Sequence, residues 1–536
     1  MNIENRTLKR QRNSYLPKSP YDDIVRIKTE RKGMGKLKGM LILFVALLQL
    51  CVLATLHTLV AVAFQSYLII SVVLDVFTCL YILGSSKNGR SKAVWIMLVL
   101  LLFPVGFLIY FLSDENIFFR GSRRRYAAVL RSSQGLVSGC ECGALPPVTA
   151  QACSYLKNVT GYVPYKNTRS KYFPSGAQAF DDMIARCAEA EKFIFIEYFT
   201  VAEGVLFERM LEVLKDRAAA GVDVRIIYDD MGSSGRISHK LKKQARAAGI
   251  KIYAFNRLVP LYKIGMNYRD HRKITVVDGV TAYTGGINIA DEYVNEKRMY
   301  GYWKDNAVRV DGDAAQGFVL MFLRQWEFVT KRPFDYAPFL NCHDSVKKCP
   351  EREESGEGVF LPFAAGLEYR DPVVRDMYAN VISHANEKLY IMTPYFVPDE
   401  TITDLLASKA RSGVDVRIVL PGVPDKKYVY LISLDNADKL TKSGVKVYTM
   451  SDAFVHTKSV LTENCAVIGS ANFDLRSFFQ QYENALYTDD KSAMEGLALD
   501  FEATFPECIQ RQYMRARSGV LRSLLTALLQ IFAPMM

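Results

Sequence analysis

The sequence predicts an α/β fold: two α/β domains in tandem, preceded by N-terminal transmembrane helices. Three observations carry that expectation. A short polar constellation is written twice, His271-Arg-Lys273 leading to Gly285-Gly-Ile-Asn288 and His456-Thr-Lys458 leading to Gly469-Ser-Ala-Asn472. The apolar runs around the two copies repeat in the same order. Ahead of both lie apolar blocks of membrane-crossing length.

In chain order, residues 1–39 form a hydrophilic, basic tail and residues 40–112 the membrane region. A crossing needs about 20 apolar residues, and the candidates are Met40–Leu59, Tyr67–Gly84 and Ala93–Leu112, two or three helices of a multi-pass cell-membrane protein. A cleaved signal peptide does not fit several blocks that start after so long a polar tail. Lys36 and Lys38 precede the first block, Lys87, Arg90 and Lys92 separate the second from the third, and Arg120 and Arg123 to Arg125 follow. Three full crossings cannot keep these basic flanks on one side. One block is therefore expected not to span: Pro104 and Gly106 in the third suit a bent or re-entrant segment, and Asp75 in the second a packed interior position. The catalytic body is expected on the cytoplasmic side.

Residues 113–162 read as a linker, 163–340 as the first catalytic domain, 341–358 as a second linker dense in Lys, Glu and Ser, and 359–512 as the second domain. Phe193-Ile-Phe-Ile-Glu-Tyr-Phe199 is echoed by Leu389-Tyr-Ile-Met-Thr-Pro-Tyr-Phe396, strand-length runs rich in aromatic and β-branched residues. A helical pattern follows each, Leu206 to Ala220 and Ile402 to Ser412, then Gly221-Val-Asp-Val-Arg-Ile-Ile227 and Gly413-Val-Asp-Val-Arg-Ile-Val419, where the glycine ends the helix before a buried strand. Gly249-Ile-Lys-Ile-Tyr253 and Gly444-Val-Lys-Val-Tyr448 complete the match. This order predicts mainly parallel sheets covered by helices. In residues 513–536, Arg515, Arg517 and Arg522 precede the apolar run Leu524 to Phe532, which reads as an interfacial amphipathic helix or one docked on its own domain.

On a strand, residues two apart share a face, so each motif sets an imidazole beside an ammonium. A neutral imidazole can attack phosphorus or accept a proton, the ammonium cancels oxyanion charge, and the asparagine amide donates a further hydrogen bond. One His-x-Lys pair is an ordinary surface feature. Two of only six histidines in equivalent frames are not. The other four, His57, His239, His343 and His384, have no repeated context. Ten cysteines show no disulfide framework and no four-ligand metal spacing.

The motifs resemble the phospholipase D superfamily, in which two such copies meet at one active site between pseudo-symmetric halves. Tyr268-Arg-Asp-His-Arg-Lys-Ile-Thr-Val-Val-Asp278, Thr284-Gly-Gly-Ile-Asn-Ile-Ala-Asp-Glu-Tyr293, Trp303-Lys-Asp305 and Gly469-Ser-Ala-Asn-Phe-Asp-Leu-Arg-Ser477 resemble the bacterial cardiolipin synthases. The resemblance implies a phosphatidyltransferase joining two phosphatidylglycerol molecules into cardiolipin and glycerol through a phosphohistidine, with no ATP, metal or other cofactor. Its catalytic motifs fall on His271, Lys273 and Asp278 and on His456, Lys458 and Glu463, with His271 as nucleophile and His456 as acid and base. Lys273, Lys458, Asn288 and Asn472 would hold phosphate oxygens. Glu483 and Asp305 are candidates to orient the histidines. Asp278 and Glu463 stand at the far ends of their strands, so a structural role is expected of them. The sequence departs from the family pattern at Glu463, usually aspartate, at Ala307, often histidine, and at Gln481, often asparagine.

A formal net charge of +12 could signal nucleic acid. On a membrane-anchored chain it instead favours anionic lipids as partners. A phospholipase D-type hydrolase would use the same histidines with water. A membrane scaffold would have no need of them.

Overall fold

The computed structural model describes residues 40–41, 43–59, 66–85, 89–113, 120–257, 268–340, 358–512 and 529–530. The tail 1–39, the linker 341–357 and all but two residues of the C-terminal segment 513–536 lie outside the described residues. Residues 1–62 with 259–263 form one compact unit, whose described part is the apolar helix Leu43–Leu59; the rest of the chain forms the other.

In the larger unit, the helix Ser66–Gly84 contains Tyr67–Gly84, a stretch long and apolar enough to cross a bilayer. The third apolar block is not the single helix Ala93–Leu112 but two, Gly89–Leu101 and Gly106–Ser113. Pro104 has no N–H to continue a helical ladder. A Cβ at Gly106 would sit 2.0 Å from the Val99 carbonyl oxygen, so glycine permits the chain to fold back on itself there.

The catalytic body is two sheets. The first holds β1 (Thr168–Phe173), β2 (Phe193–Tyr198), β3 (Asp223–Asp229), β4 (Lys251–Phe255), β5 (Lys273–Val277), β6 (Thr281–Gly285) and β8 (Ala307–Gly312), in the order β1-β8-β6-β5-β2-β3-β4; β7 (Tyr302–Lys304) pairs elsewhere. The second holds β9 (Phe360–Ala365), β10 (Lys388–Met392), β12 (Asp415–Pro421), β13 (Lys446–Met450), β15 (Ser459–Thr462), β16 (Ala466–Gly469), β18 (Glu483–Thr488) and β19 (Cys508–Arg511). Its order, β9-β18-β16-β15-β10-β12-β13-β19, retraces the first sheet strand for strand and adds β19 at the edge.

The expectation of mainly parallel sheets needs correction. Only β2-β3-β4 and β10-β12-β13 are parallel; every other pairing in the two sheets is antiparallel. For β5 and β6 the cause is visible in the turn between them, where Asp278 and Gly279 both adopt positive φ, 53° and 71°, and the Val280 N–H donates back to Val277 O at 3.2 Å. Two consecutive left-handed residues make the tight turn that joins antiparallel neighbours, and an Asp-Gly pair is its sequence signal.

The helix Ala315–Thr330 is buried on nearly every face. It lies against β5 of the first sheet, β9 of the second and the helix Arg120–Ser132, which is why its sequence is apolar all round. Helix Lys491–Thr504 of the second half covers β1 of the first, where Tyr172 donates its hydroxyl proton to Asp500 at 2.5 Å. Two helices stand in the described part of the stretch expected to be a linker: Tyr126 and Val129 of Arg120–Ser132, and Cys153 and Leu156 of Pro147–Thr160, are buried at the three-residue spacing of packed helix faces.

Candidate active site

Two short pairings between the halves build the centre. Asp270 bridges Tyr482 in parallel, and the His271 N–H donates to Tyr482 O at 2.8 Å. In the mirrored arrangement β14 (Ala453–Val455) pairs in parallel with β7, and the His456 N–H donates to Lys304 O at 2.7 Å. Each histidine therefore lies beside a segment of the other half, one residue before a carboxylate. His271 Nδ1 is 3.0 Å from Glu483 Oε2, and His456 Nδ1 is 2.7 Å from Asp305 Oδ2. An acceptor at Nδ1 puts the ring proton there and leaves Nε2 with its lone pair.

The glycine-containing turns make room for those carboxylates. A Cβ at Gly286 would sit 2.0 Å from Asp305 Oδ1. The equivalent residue in the other half, Ser470, instead donates its hydroxyl to Glu483 Oε2. Asn484 and Asn306, each following the orienting acid, repeat one another too: Asn484 Oδ1 accepts from the Lys273 N–H at 3.0 Å, and Asn306 Nδ2 donates to Ser459 Oγ at 2.8 Å. The signal for both was present in the sequence as Asp305-Asn-Ala307 and Glu483-Asn-Ala485.

Lys273 and Lys458 are buried beside the histidines. Lys273 Nζ donates to His271 O at 2.7 Å; Lys458 Nζ donates to His456 O and lies 2.9 Å from His456 Nδ1. Burial brings Lys273 down to about 8 and Lys458 to about 7, and lifts Asp305 to about 7 and Glu483 to about 8. Burial, then the neighbouring lysines, hold both histidines well below their ordinary value despite the carboxylates, so both rings are neutral. In each imidazole–carboxylate pair the carboxylate is the member brought close to neutrality.

Both rings line one cavity of about 280 Å³. Asn288 and Asn472 line it as well; the Asn288 amide donates to Tyr293 Oη at 2.7 Å and that of Asn472 to Asp474 at 3.1 Å, and each amide nitrogen keeps a second proton. Asp278 and Glu463 do not line this cavity. Asp278 accepts the backbone N–H groups of Glu191, Lys192 and Phe193 at 2.7–2.9 Å, and Glu463 those of Asn386, Glu387 and Lys388 at 2.8–3.4 Å. They clamp the starts of β2 and β10, the strands next to their own.

Sequence reasoning missed the walls. The Phe199 ring meets His271 edge-on at 5.0 Å, while Tyr293, Trp303 and Phe454 surround His456 at 5.2, 5.3 and 5.8 Å. Arg269 and Phe454 hold equivalent positions two residues before each histidine, so the first half gives the cavity a guanidinium where the second gives a phenyl ring.

The family model described as "Cardiolipin synthase, PLD-like domain" matches residues 183–316 and 378–505, one match per half. A cardiolipin synthase of Geobacillus kaustophilus is 30% identical over 80% of this chain and 86% of its own length. The chain belongs to the cardiolipin synthase family. An uncharacterized protein of Streptococcus mutans is 34% identical, covering 80% of this chain and 92% of that one. Among solved structures, the phosphatidylserine synthase of Haemophilus influenzae superposes with a TM-score of 0.54 over 73% of this chain and 98% of its own, at 14% identity, a likeness of fold. Cardiolipin synthase family membership makes the chain a phosphatidyltransferase of the phospholipase D superfamily.

Proposed function

We propose that this enzyme moves a phosphatidyl group from one phosphatidylglycerol to a second, giving cardiolipin and glycerol. The observation that carries the reading is the pair of imidazoles, each held at Nδ1 by a carboxylate of the opposite half, lining one cavity.

In the first step His271 Nε2 attacks the phosphodiester phosphorus, the bond from phosphorus to the glycerol oxygen breaks, and the His456–Asp305 pair gives that oxygen a proton. In the second, the primary hydroxyl of the incoming phosphatidylglycerol gives its proton to His456. Its oxygen attacks phosphorus and the phosphorus–nitrogen bond to His271 breaks. Lys273, Lys458 and the amides of Asn288 and Asn472 balance charge on the phosphate oxygens. A diester is exchanged for a diester, so the overall step needs no energy source. The aromatic walls favour a lipid alcohol over water as acceptor by limiting free solvent at the intermediate.

The reading includes attachment to the cell membrane by more than one crossing, with Tyr67–Gly84 one of them and Leu43–Leu59 another, and with anionic lipid as the working surface.

Incubating the purified chain with headgroup-labelled phosphatidylglycerol in mixed micelles tests it. Cardiolipin plus free glycerol is expected, and His271→Ala should abolish both. Phosphatidic acid plus glycerol would show a hydrolase instead, and absence of turnover would remove the enzyme reading.

A further inference from the structure

The third apolar block changes direction between Leu101 and Gly106. Helices Gly89–Leu101 and Gly106–Ser113 have 13 and 8 residues. At 1.5 Å per residue they reach about 20 Å and about 12 Å, both short of the roughly 30 Å hydrocarbon core. Contacts with Ser66–Gly84 give the direction of the second piece. Phe107, at its start, donates its N–H to Asp75 Oδ1 at 3.0 Å. Further along, the Tyr110 and Phe111 rings lie 6.2 and 6.0 Å from Tyr81, and Tyr110 also meets Trp95 at 5.2 Å. From Asp75 to Tyr81 the long helix runs toward its Gly84 end, so Gly106–Ser113 runs back toward the level at which Gly89–Leu101 began.

We infer that this block is a re-entrant anchor in one leaflet, entering and leaving the bilayer through the face at which Gly84 emerges, with the catalytic body on that same face. Its occupant is the acyl region of the bilayer: at the bend Leu100, Leu101 and Phe103 are 60%, 72% and 43% exposed, and no charged residue stands between Ala93 and Leu112. Backbone donors left open where the second helix starts would be costly in hydrocarbon. Buried Asp75 answers one of them through Phe107. At the base, Lys92 Nζ donates to Leu83 O at 2.8 Å, closing the end of the long helix.

The arrangement also resolves the charge pattern. If the third block returns, then Arg90 and Lys92 before it and Arg123 to Arg125 after it lie on one face, as the positive-inside rule requires. The helix that follows the anchor is fixed to the enzyme: Tyr126 is 2% exposed, donates to Gln325 Oε1 at 3.0 Å and receives Arg272 Nη1 at 3.4 Å, beside His271. The nucleophile is thereby tied to the leaflet the anchor occupies.

Full-length Ser85→Cys and Ser122→Cys variants, in right-side-out and inside-out membrane vesicles, test the inference with a membrane-impermeant maleimide and peptide-level mass spectrometry, which separates the native cysteines. Permeabilised vesicles set the full signal, and Arg124→Cys, at an exposed position, replaces Ser122→Cys should that variant not accumulate. Both sites are expected to react from the same face, inside-out vesicles being labelled and right-side-out ones spared. Labelling from opposite faces, or protection of either site from both faces, would overturn it. Phosphatidyl transfer measured in the same vesicles keeps this outcome separate from the functional reading.

Discussion

Each reacting imidazole depends on a carboxylate from the opposite half. Glu483→Gln and Asp305→Asn keep size while removing the charge that fixes Nδ1–H, so kcat is expected to fall on the order of 10²–10⁴-fold with little change in KM, read in the micelle assay. The pH dependence follows from the same pairs. The pair that attacks must have released its extra proton, and the pair that protonates the leaving oxygen must hold one, so activity falls at both extremes. With Asp305 lifted to about 7 and Glu483 to about 8, a bell-shaped kcat/KM centred between those values is expected, and the amide variants should each displace one limb. A profile unchanged in both variants would contradict the paired assignment. These partners were only half legible in the sequence. Glu483 and His271 are 212 residues apart, and a pairing between halves, Asp270 with Tyr482, brings them together; one-dimensional spacing does not encode that, although the repeated acid-Asn-Ala triplet marks both acids.

At the scale of elements, turns and strand ends decide where those residues go. Gly286→Ala would set a methyl 2.0 Å from Asp305 Oδ1, and turnover should collapse while the protein still accumulates; Ser470→Ala removes one donor to Glu483 and should cost far less. Equal loss in the two would show that Gly286 does not make room for Asp305. Asp278→Ala removes a carboxylate that receives three backbone N–H groups, and a hydrogen bond to a charged group contributes roughly 1.5–3 kcal/mol, so the unfolding free energy in micelles should fall by at least about that much, with a lower Tm and kcat per folded molecule unchanged. A fall in kcat with stability intact would return Asp278 to the reacting set. The duplicated strand-helix-strand order was plain in the sequence, because each repeat is a contiguous run of apolar residues. The antiparallel pairing of β5 with β6 was written too, in Asp278-Gly279, but a two-residue turn carries less visible pattern than the buried runs around it. The break in the third apolar block was foreshadowed by Pro104 and Gly106. Helix Arg120–Ser132 was obscured because its run of arginines masks the buried Tyr126 and Val129.

At the scale of the catalytic body, the two halves share a core: the helix Ala315–Thr330 packs on both sheets, and both histidines line the same cavity. Because one chain supplies both rings, mixing His271→Ala with His456→Ala protein should restore no transfer; recovery would mean that halves of different chains build the site. The most direct measurement of the central claim uses His456→Ala with a phosphatidyl ester of p-nitrophenol, whose leaving group needs no proton. The account predicts release of one equivalent of p-nitrophenol per chain, a stall, and a phosphatidyl group on His271 recovered by peptide mapping. Steady turnover in that variant, or the same burst from His271→Ala, would contradict convergence of the two imidazoles on one phosphorus.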